Sequence, residues 1–328
     1  MIQMSQRKSG TPRFFSFGHL RKQLFQLPIE EATFARRGFR GADKRARQRL
    51  ELIGATFLLG YHAALEESDL SVLTQRLNSV DAELRGFAFE GAAMGLALVD
   101  LLTPWKKKDR WHLFLKKGAA PHQYMMHVGA GWALARLPWF ETHPALIDPL
   151  LGWLVIDGYG FHRGYFQWPR YVVEQKLPKR LSPNANRVFD QGLGRSLWFV
   201  EGADVNRIPA TIAAFDPARQ PDLWSGTGLA CTYAGGVDAA AIKTLQTAAG
   251  PYRPQLAQGA AFAAKTRQRA GNPVEHTDLA CRILCDCSAD AAAAITDEAL
   301  KDLPINEAKP AYQVWRERIQ NAFAGNAL

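Results

Sequence analysis

Two histidines are the residues whose type and spacing could support chemistry in this chain. The segment Gly-Tyr-His at 60–62 recurs as Gly-Tyr-Gly-Phe-His at 158–162, so that His62 and His162 end corresponding segments. Two imidazoles that face one groove can bind a divalent metal or act as acid and base in proton transfer. We therefore predict His62 and His162 as catalytic residues. A divalent metal held by both is one form that their chemistry could take.

Glu90 is the third candidate catalytic residue. The segment Phe-Glu-Gly at 89–91 recurs as Asp-Gln-Gly at 190–192, which places a carboxylate in one segment where the other has an amide. A charged side chain on a glycine-rich helix that faces the interior needs a partner or a function. The alternative is structural: the histidines would cap helix ends, and Glu90 would pair with an arginine such as Arg85 or Arg195.

Aromatic residues are concentrated around the second histidine, where six lie between positions 159 and 171. Such rings could line a slot for a long apolar or conjugated molecule. The predicted substrate-binding residues are Tyr61, Tyr159, Phe161, Tyr165, Phe166, Trp168, Asp157 and Gln191. Ordinary packing between helices is the alternative, with an ion pair between Asp157 and Arg163 in place of a contact to substrate.

The histidine segments belong to a wider internal repeat. Three matched segments follow one another in the same order at offsets of 98, 101 and 97 residues. The third is Gly-Ala-Gly-Trp-Ala at 129–133, which recurs as Gly-Thr-Gly-Leu-Ala at 226–230. A period of this kind is typical of stacked supersecondary units. The pattern predicts two copies of about a hundred residues and a shortened third copy.

Helices must position these residues, because apolar side chains recur at spacings of three and four from Asp43 onward. The strict alternation that marks half-buried strands is almost absent. We predict an all-α fold in which the helical repeat forms one continuous unit. Residues 1–40 would be a basic, partly disordered N-terminal arm, and residues 41–328 the helical-repeat domain.

The net charge of +9 comes entirely from residues 1–50, which hold twelve Lys and Arg against three acids. This segment could meet an anionic membrane surface, nucleic acid or an acidic acyl carrier protein. A solvated leader without a partner is the alternative. Nucleic acid is the weakest of these readings, because the remaining residues are balanced in charge.

Targeting signals are missing from the sequence as given. Charged residues interrupt the N-terminal region, and Asp148 and Asp157 interrupt the longest apolar tract, 146–161. A spanning helix needs about 20 consecutive, predominantly apolar residues. We therefore expect a cytoplasmic protein without a transmembrane segment.

Five segments in order also resemble a bacterial family. They are Phe-Glu-Gly-Ala-Ala-Met at 89–94, His-Val-Gly-Ala-Gly-Trp-Ala at 127–133, the segment 157–166, Gln-Gly-Leu-Gly-Arg-Ser-Leu-Trp at 191–198, and Tyr-Ala-Gly-Gly at 233–236. The family is often labelled enediyne biosynthesis protein, and the resemblance spans roughly residues 30–320. It implies a role in specialised metabolism beside iterative polyketide synthases that make polyene precursors.

Two functional hypotheses follow. The first is an enzyme that acts on a long, hydrophobic, unsaturated intermediate held in an aromatic-lined cavity, with the histidines and Glu90 in proton transfer or metal binding. The second is a non-catalytic helical protein that binds or sequesters such an intermediate, or that docks on an acyl carrier protein through residues 1–50.

Overall fold

The computed structural model describes residues 17–102, 109–136, 148–303 and 309–325. Within these ranges the chain forms sixteen α-helices and no strand, which confirms the predicted all-α class. The helices are α1 (Phe17–Phe25), α2 (Phe34–Arg37), α3 (Lys44–Glu66), α4 (Leu70–Asn78), α5 (Ala82–Leu102), α6 (Arg110–Lys117), α7 (Gln123–Ala135), α8 (Trp153–Phe166), α9 (Pro183–Val200), α10 (Arg207–Ala213), α11 (Gln220–Ala234), α12 (Ala239–Ala249), α13 (Arg253–Ala270), α14 (Glu275–Leu284), α15 (Ala289–Glu298) and α16 (Ala311–Phe323).

Seven of these helices form a row in which each packs against the next. The row runs through α3, α5, α7, α8, α9, α11 and α13, which we call the inner helices. Their middle turns are almost fully buried, whereas the shorter α4, α10 and α12 expose one face. The apolar mass of the protein therefore lies along the row.

The inner helices α9 and α11 run in the same direction. Near the starts of α9 and α11, Arg187 Nε lies 3.1 Å from Asp222 Oδ2. Near their ends, Trp198 Nε1 donates to the Gly235 carbonyl at 2.9 Å. Because early residues meet early residues and late residues meet late ones, the two helices are parallel. The segment between α9 and α11, which includes α10, therefore returns the chain to the end at which α9 starts.

Glycines allow the backbones of the inner helices to touch. A Cβ added to Gly192 on α9 would lie 1.9 Å from the Asp157 carbonyl oxygen on α8. A Cβ on Gly194 would lie 2.2 Å from the Leu223 carbonyl oxygen on α11. No other residue type can be placed at such distances. Gly192 makes the contact with the preceding inner helix, and Gly194 makes the contact with the next. The glycines in such backbone contacts, which we call contact glycines, are Gly60, Gly91, Gly129, Gly131, Gly158, Gly160, Gly192, Gly194, Gly226, Gly228 and Gly259.

The spacing of the contact glycines is shorter than the predicted period. Gly158, Gly192, Gly226 and Gly259 follow one another at intervals of 34, 34 and 33 residues. Each interval carries the chain from one inner helix to the next. The division into copies of about a hundred residues stays a prediction.

The row curls until its late helices meet its early ones. Arg49 on α3 donates to the Ala234 carbonyl on α11 at 3.1 Å. Arg267 on α13 is 1% exposed and donates to the carbonyls of Glu83 and Tyr233, at 2.7 and 2.9 Å. These bonds hold α3, α5, α11 and α13 around one interior.

The described part of the predicted N-terminal arm, residues 17–40, packs on this body. The Tyr61 hydroxyl donates to the Phe25 carbonyl at 2.7 Å, and the Arg40 N–H donates to the Val200 carbonyl at 2.7 Å. Phe34 is buried. Residues 1–16 lie outside the described ranges, and the predicted boundary at residue 40 stays a prediction.

No helix in the described part of the chain combines the length and the apolar character that a membrane crossing requires.

Replacing Gly192 with alanine should force α8 and α9 apart. Gly54 on α3 is the less crowded comparison, because a Cβ there would lie 2.9 Å from the Ala32 side chain and 3.5 Å from the nearest carbonyl oxygen, whereas one on Gly192 would lie 1.9 Å from a carbonyl oxygen. We expect Gly192→Ala to lower the free energy of unfolding by about 3 kcal/mol, the upper range for overpacking, and Gly54→Ala to lower it by less than about 1 kcal/mol. Urea unfolding of both variants measures this. Equal stability of Gly192→Ala and wild type would contradict the backbone contact.

Candidate functional site

The concave side of the row encloses an aromatic cavity, which we call chamber 1. The space between its lining atoms, including the part that opens to solvent, is about 630 Å³. Eight aromatic side chains contribute to the lining: Phe57, Phe87, Trp132, Phe161, Tyr165, Phe166, Phe199 and Tyr233. An apolar lining with a few polar groups is typical of a small-molecule site.

Trp132 connects the aromatic wall to the polar groups. Its ring centroid lies 4.2 Å from that of Phe57 and 5.1 Å from that of Phe161. Its indole Nε1 donates to Glu90 Oε1 at 3.1 Å. Because the four residues come from α3, α5, α7 and α8, a molecule in chamber 1 would contact several inner helices at once.

Glu90 is an acidic group buried in this wall, with 2% of its surface exposed. Besides the Trp132 bond, its Oε1 lies 3.7 Å from Nη2 of Arg195. Burial raises the pKa of Glu90 from its usual value near 4.5 to about 7, because the loss of water outweighs the nearby guanidinium and the Asp157 charge opposes ionisation further. Near neutral pH both protonation states of Glu90 are therefore populated, as proton transfer requires.

Arg195 is shared between two carboxylates. Its Nη1 donates to Oδ1 of Asp157 in a closer ion pair than the one with Glu90. Gln191 donates to Asp157 Oδ2 at 2.7 Å and lies 2.9 Å from the Tyr312 hydroxyl. Of the two acids, Glu90 is therefore the one held more weakly by the guanidinium.

The contact glycines position these groups. Glu90 and Asp157 directly precede contact glycines. Three residues that line chamber 1 lie three positions after a contact glycine: Trp132 after Gly129, Phe161 after Gly158, and Arg195 after Gly192. Residues at these two positions are four apart and share one helix face. Trp132 is absent from the predicted site residues, and Arg195 enters only as a partner for Glu90. Their spacing from the glycines is the signal that could have found both.

The structure brings several predicted residues together. Glu90, Phe161, Tyr165 and Phe166 line chamber 1. Asp157 joins them through Arg195 rather than through Arg163, and Gln191 lies behind Asp157.

Other predicted residues do not line chamber 1. The Tyr61 hydroxyl bonds to the Phe25 carbonyl, and Trp168 Nε1 donates to the Arg37 carbonyl at 3.0 Å. The Tyr159 ring lies 5.6 Å from the ring of Phe189.

The two histidines have different surroundings. His62 is half-buried near Lys22 and Glu66, whereas His162 is buried behind Trp132 with the ring centroids 5.5 Å apart. Burial lowers the pKa of both imidazoles, and that of His162 falls well below its usual range. His162 is therefore neutral at physiological pH. No contact given by the structure joins the two rings, and their role as a catalytic pair stays a prediction.

Metal ligands do not cluster in the described ranges of the chain. No group of three or more His, Cys, Asp or Glu residues there is arranged to hold a metal ion. The metal suggested for His62 and His162 stays a prediction.

Glu90→Gln should change how stability depends on pH. The folded protein retains a proton on Glu90 that the unfolded chain releases near pH 4.5. The stabilisation that this proton gives is therefore complete below about pH 4.5 and is lost as the pH rises through about 7. The glutamine keeps the acceptor for Trp132 but does not titrate.

We expect the wild type to lose stability relative to Glu90→Gln between about pH 5 and about pH 8. Urea unfolding of both proteins at each pH measures the difference, and the contributions of other titrating groups cancel. Identical pH dependence in the two proteins would show that folding does not raise the pKa of Glu90.

Comparison with curated proteins and with solved structures gives no match. A family profile described as "Protein of unknown function (DUF1702)" matches residues 16–323. This range contains every inner helix and every described residue of chamber 1. The chain belongs to the DUF1702 family.

Proposed function

We propose that the protein is an enzyme that holds a long, hydrophobic, unsaturated molecule in chamber 1 and transfers protons on it through Glu90. The observation that carries this proposal is a buried carboxyl group with a pKa raised to about 7 in an aromatic wall. A general base is most effective when its pKa lies near the working pH. The earlier resemblance to enediyne biosynthesis proteins supports a polyene of polyketide origin as the natural ligand.

The reaction that these groups support is the shift of a double bond along an unsaturated acyl chain. Ionised Glu90 takes a proton from the carbon between the carbonyl and the double bond, and the electron pair moves onto the carbonyl oxygen as the dienolate. Glu90 then returns the proton to the far carbon of the former double bond. The step consumes no co-reactant.

Arg195 supplies the electrostatic part of this mechanism. Its guanidinium lines chamber 1 and lies 3.7 Å from Glu90. A buried guanidinium stabilises negative charge that develops on a carbonyl oxygen. The close ion pair with Asp157 holds it in place during the reaction.

A β,γ-unsaturated decenoyl thioester in D₂O tests the proposal. The wild type should form the conjugated isomer, as measured by absorbance, and mass spectrometry should show deuterium at the γ-carbon to the extent that the proton held by Glu90 exchanges with solvent before it is returned. Glu90→Gln should bind the thioester with similar affinity and lose at least about a hundredfold in rate, the scale of a general base.

Leu52→Ala is the matched control, because Leu52 lies on α3 with 49% exposure and does not line chamber 1. It should retain wild-type rates. Equal rates of Glu90→Gln and wild type would reject the role of Glu90. Binding without isomerisation or exchange in the wild type would favour the second candidate, a protein that only sequesters the molecule.

The apolar lining of chamber 1 is the observation that favours this second candidate. Aromatic walls bind an apolar molecule whether or not Glu90 reacts with it. Docking of an acidic acyl carrier protein on residues 1–50 belongs to the same proposal. Among the cations of residues 1–50, Lys22 forms an ion pair with Glu66 and Arg37 forms one with Glu31, both at 2.5 Å.

Binding to an acyl carrier protein should weaken strongly with salt if this surface is used. Exposed charges are screened over about 10 Å at 0.1 M salt. We expect at least a tenfold loss of affinity between about 0.05 and about 0.5 M NaCl by fluorescence anisotropy, in the manner of interfaces guided by charge. An affinity that does not change with salt would contradict docking through this segment.

A further inference from the structure

A second cavity, which we call chamber 2, lies on the other side of the Arg195 layer. The space between its lining atoms is about 510 Å³. Its apolar lining comes from α7, α8, α11, α13 and α16, and includes Val128, Leu154, Phe262 and Trp315. Asp157 faces chamber 2, just as Glu90 faces chamber 1. Nothing in the proposed reaction uses this space.

Three side chains line both chambers: Arg195, Leu229 and Tyr233. They form the partition between the two spaces. Arg195 is fixed from both sides, by Glu90 and by Asp157. Tyr233 packs edge-on against Phe87, with ring centroids 5.1 Å apart, under the guanidinium of Arg267 at 4.0 Å.

Leu229 differs from the other two residues of the partition. It has no polar group that could tie it in place, and it keeps partial exposure on a helix whose middle turns are otherwise buried. It also lies three positions after the contact glycine Gly226, which is the place that Trp132, Phe161 and Arg195 occupy on their helices. A rotamer change of one leucine is therefore the smallest movement that would join the chambers.

We propose that chambers 1 and 2 are the two halves of one binding channel, that Leu229 separates them, and that the occupant is an unbranched hydrocarbon chain that passes from one chamber into the other. The inference rests on the proposed function only in requiring that chamber 1 binds an apolar molecule. An opening made by moving one leucine side chain is about as wide as that side chain, which favours linear chains over branched or fused-ring molecules.

Chain length is the variable that tests the channel. Equilibrium dialysis with radiolabelled octanoic and hexadecanoic acids compares a short chain with one twice as long. We expect Leu229→Trp, which fills the partition, to lower the affinity for hexadecanoic acid at least tenfold. Its affinity for octanoic acid should stay within about threefold of that of the wild type. Leu229→Met, which conserves the volume, should change neither affinity by more than about threefold.

Each other outcome has a definite meaning. If Leu229→Trp weakens both acids equally, or neither, the two chambers act separately and the channel is rejected. If the wild type binds neither acid, chamber 1 does not bind an apolar chain, and the proposed function is rejected together with the channel. The previous outcome, in which the acids bind but chain length makes no difference, rejects the channel alone. Circular dichroism verifies folding, and Leu229→Phe provides a smaller block with the same expected direction if the tryptophan variant does not fold.

Discussion

Backbone contact between parallel helices is the constraint on which the rest of the structure depends. Where a Cβ on Gly158 would lie 1.9 Å from the Val128 carbonyl oxygen, no side chain can separate α7 from α8. The same contact recurs between each pair of adjacent inner helices. Glycine weakens an isolated helix by about 1 kcal/mol relative to alanine, so these helices depend on their neighbours for stability. Side chains next to each contact are consequently directed to the two sides of the row.

This constraint explains why charged groups lie in the interior. Glu90 and Asp157 directly precede contact glycines, and the parallel packing brings both within reach of Arg195. Removing one member of such a buried group of charges costs far more stability than the whole group contributes to folding. The reason is that an uncompensated charge would remain buried away from water. A protein selected for stability alone could fill these positions with apolar residues. Their presence on the walls of two cavities is the observation from which the proposed function starts.

The two chambers also relate the electrostatics to the shape of the ligand. Arg195 carries the charge between them, while Leu229 supplies an apolar part of the same partition. A linear molecule crossing the partition would place its middle carbons beside the guanidinium and Glu90. Reaction at a fixed distance from the chain end would then follow from the length of each chamber, without specific recognition of the end group.

The sequence by itself determined the helices and indicated that Glu90 is an inward-facing charged group that needs a partner or a function. Ser182 followed by Pro183 predicts a helix start, and the Ser182 hydroxyl accepts the Ala185 N–H at the start of α9. These signals are local, since caps and apolar periodicity act within a few turns. The aromatic segment likewise placed Phe161, Tyr165 and Phe166 in the site.

The tertiary structure alone decided which of these residues meet. Glu90 and Arg195 are far apart in sequence, and Arg163, the nearer candidate for Asp157, is not the residue that pairs with it in the structure. His62 and His162 end similar segments but have different neighbours, because the N-terminal residues cover one and Trp132 covers the other. Local patterns specify which face of a helix is buried. The crossing of backbones at glycines, which links distant parts of the chain, specifies what that face meets.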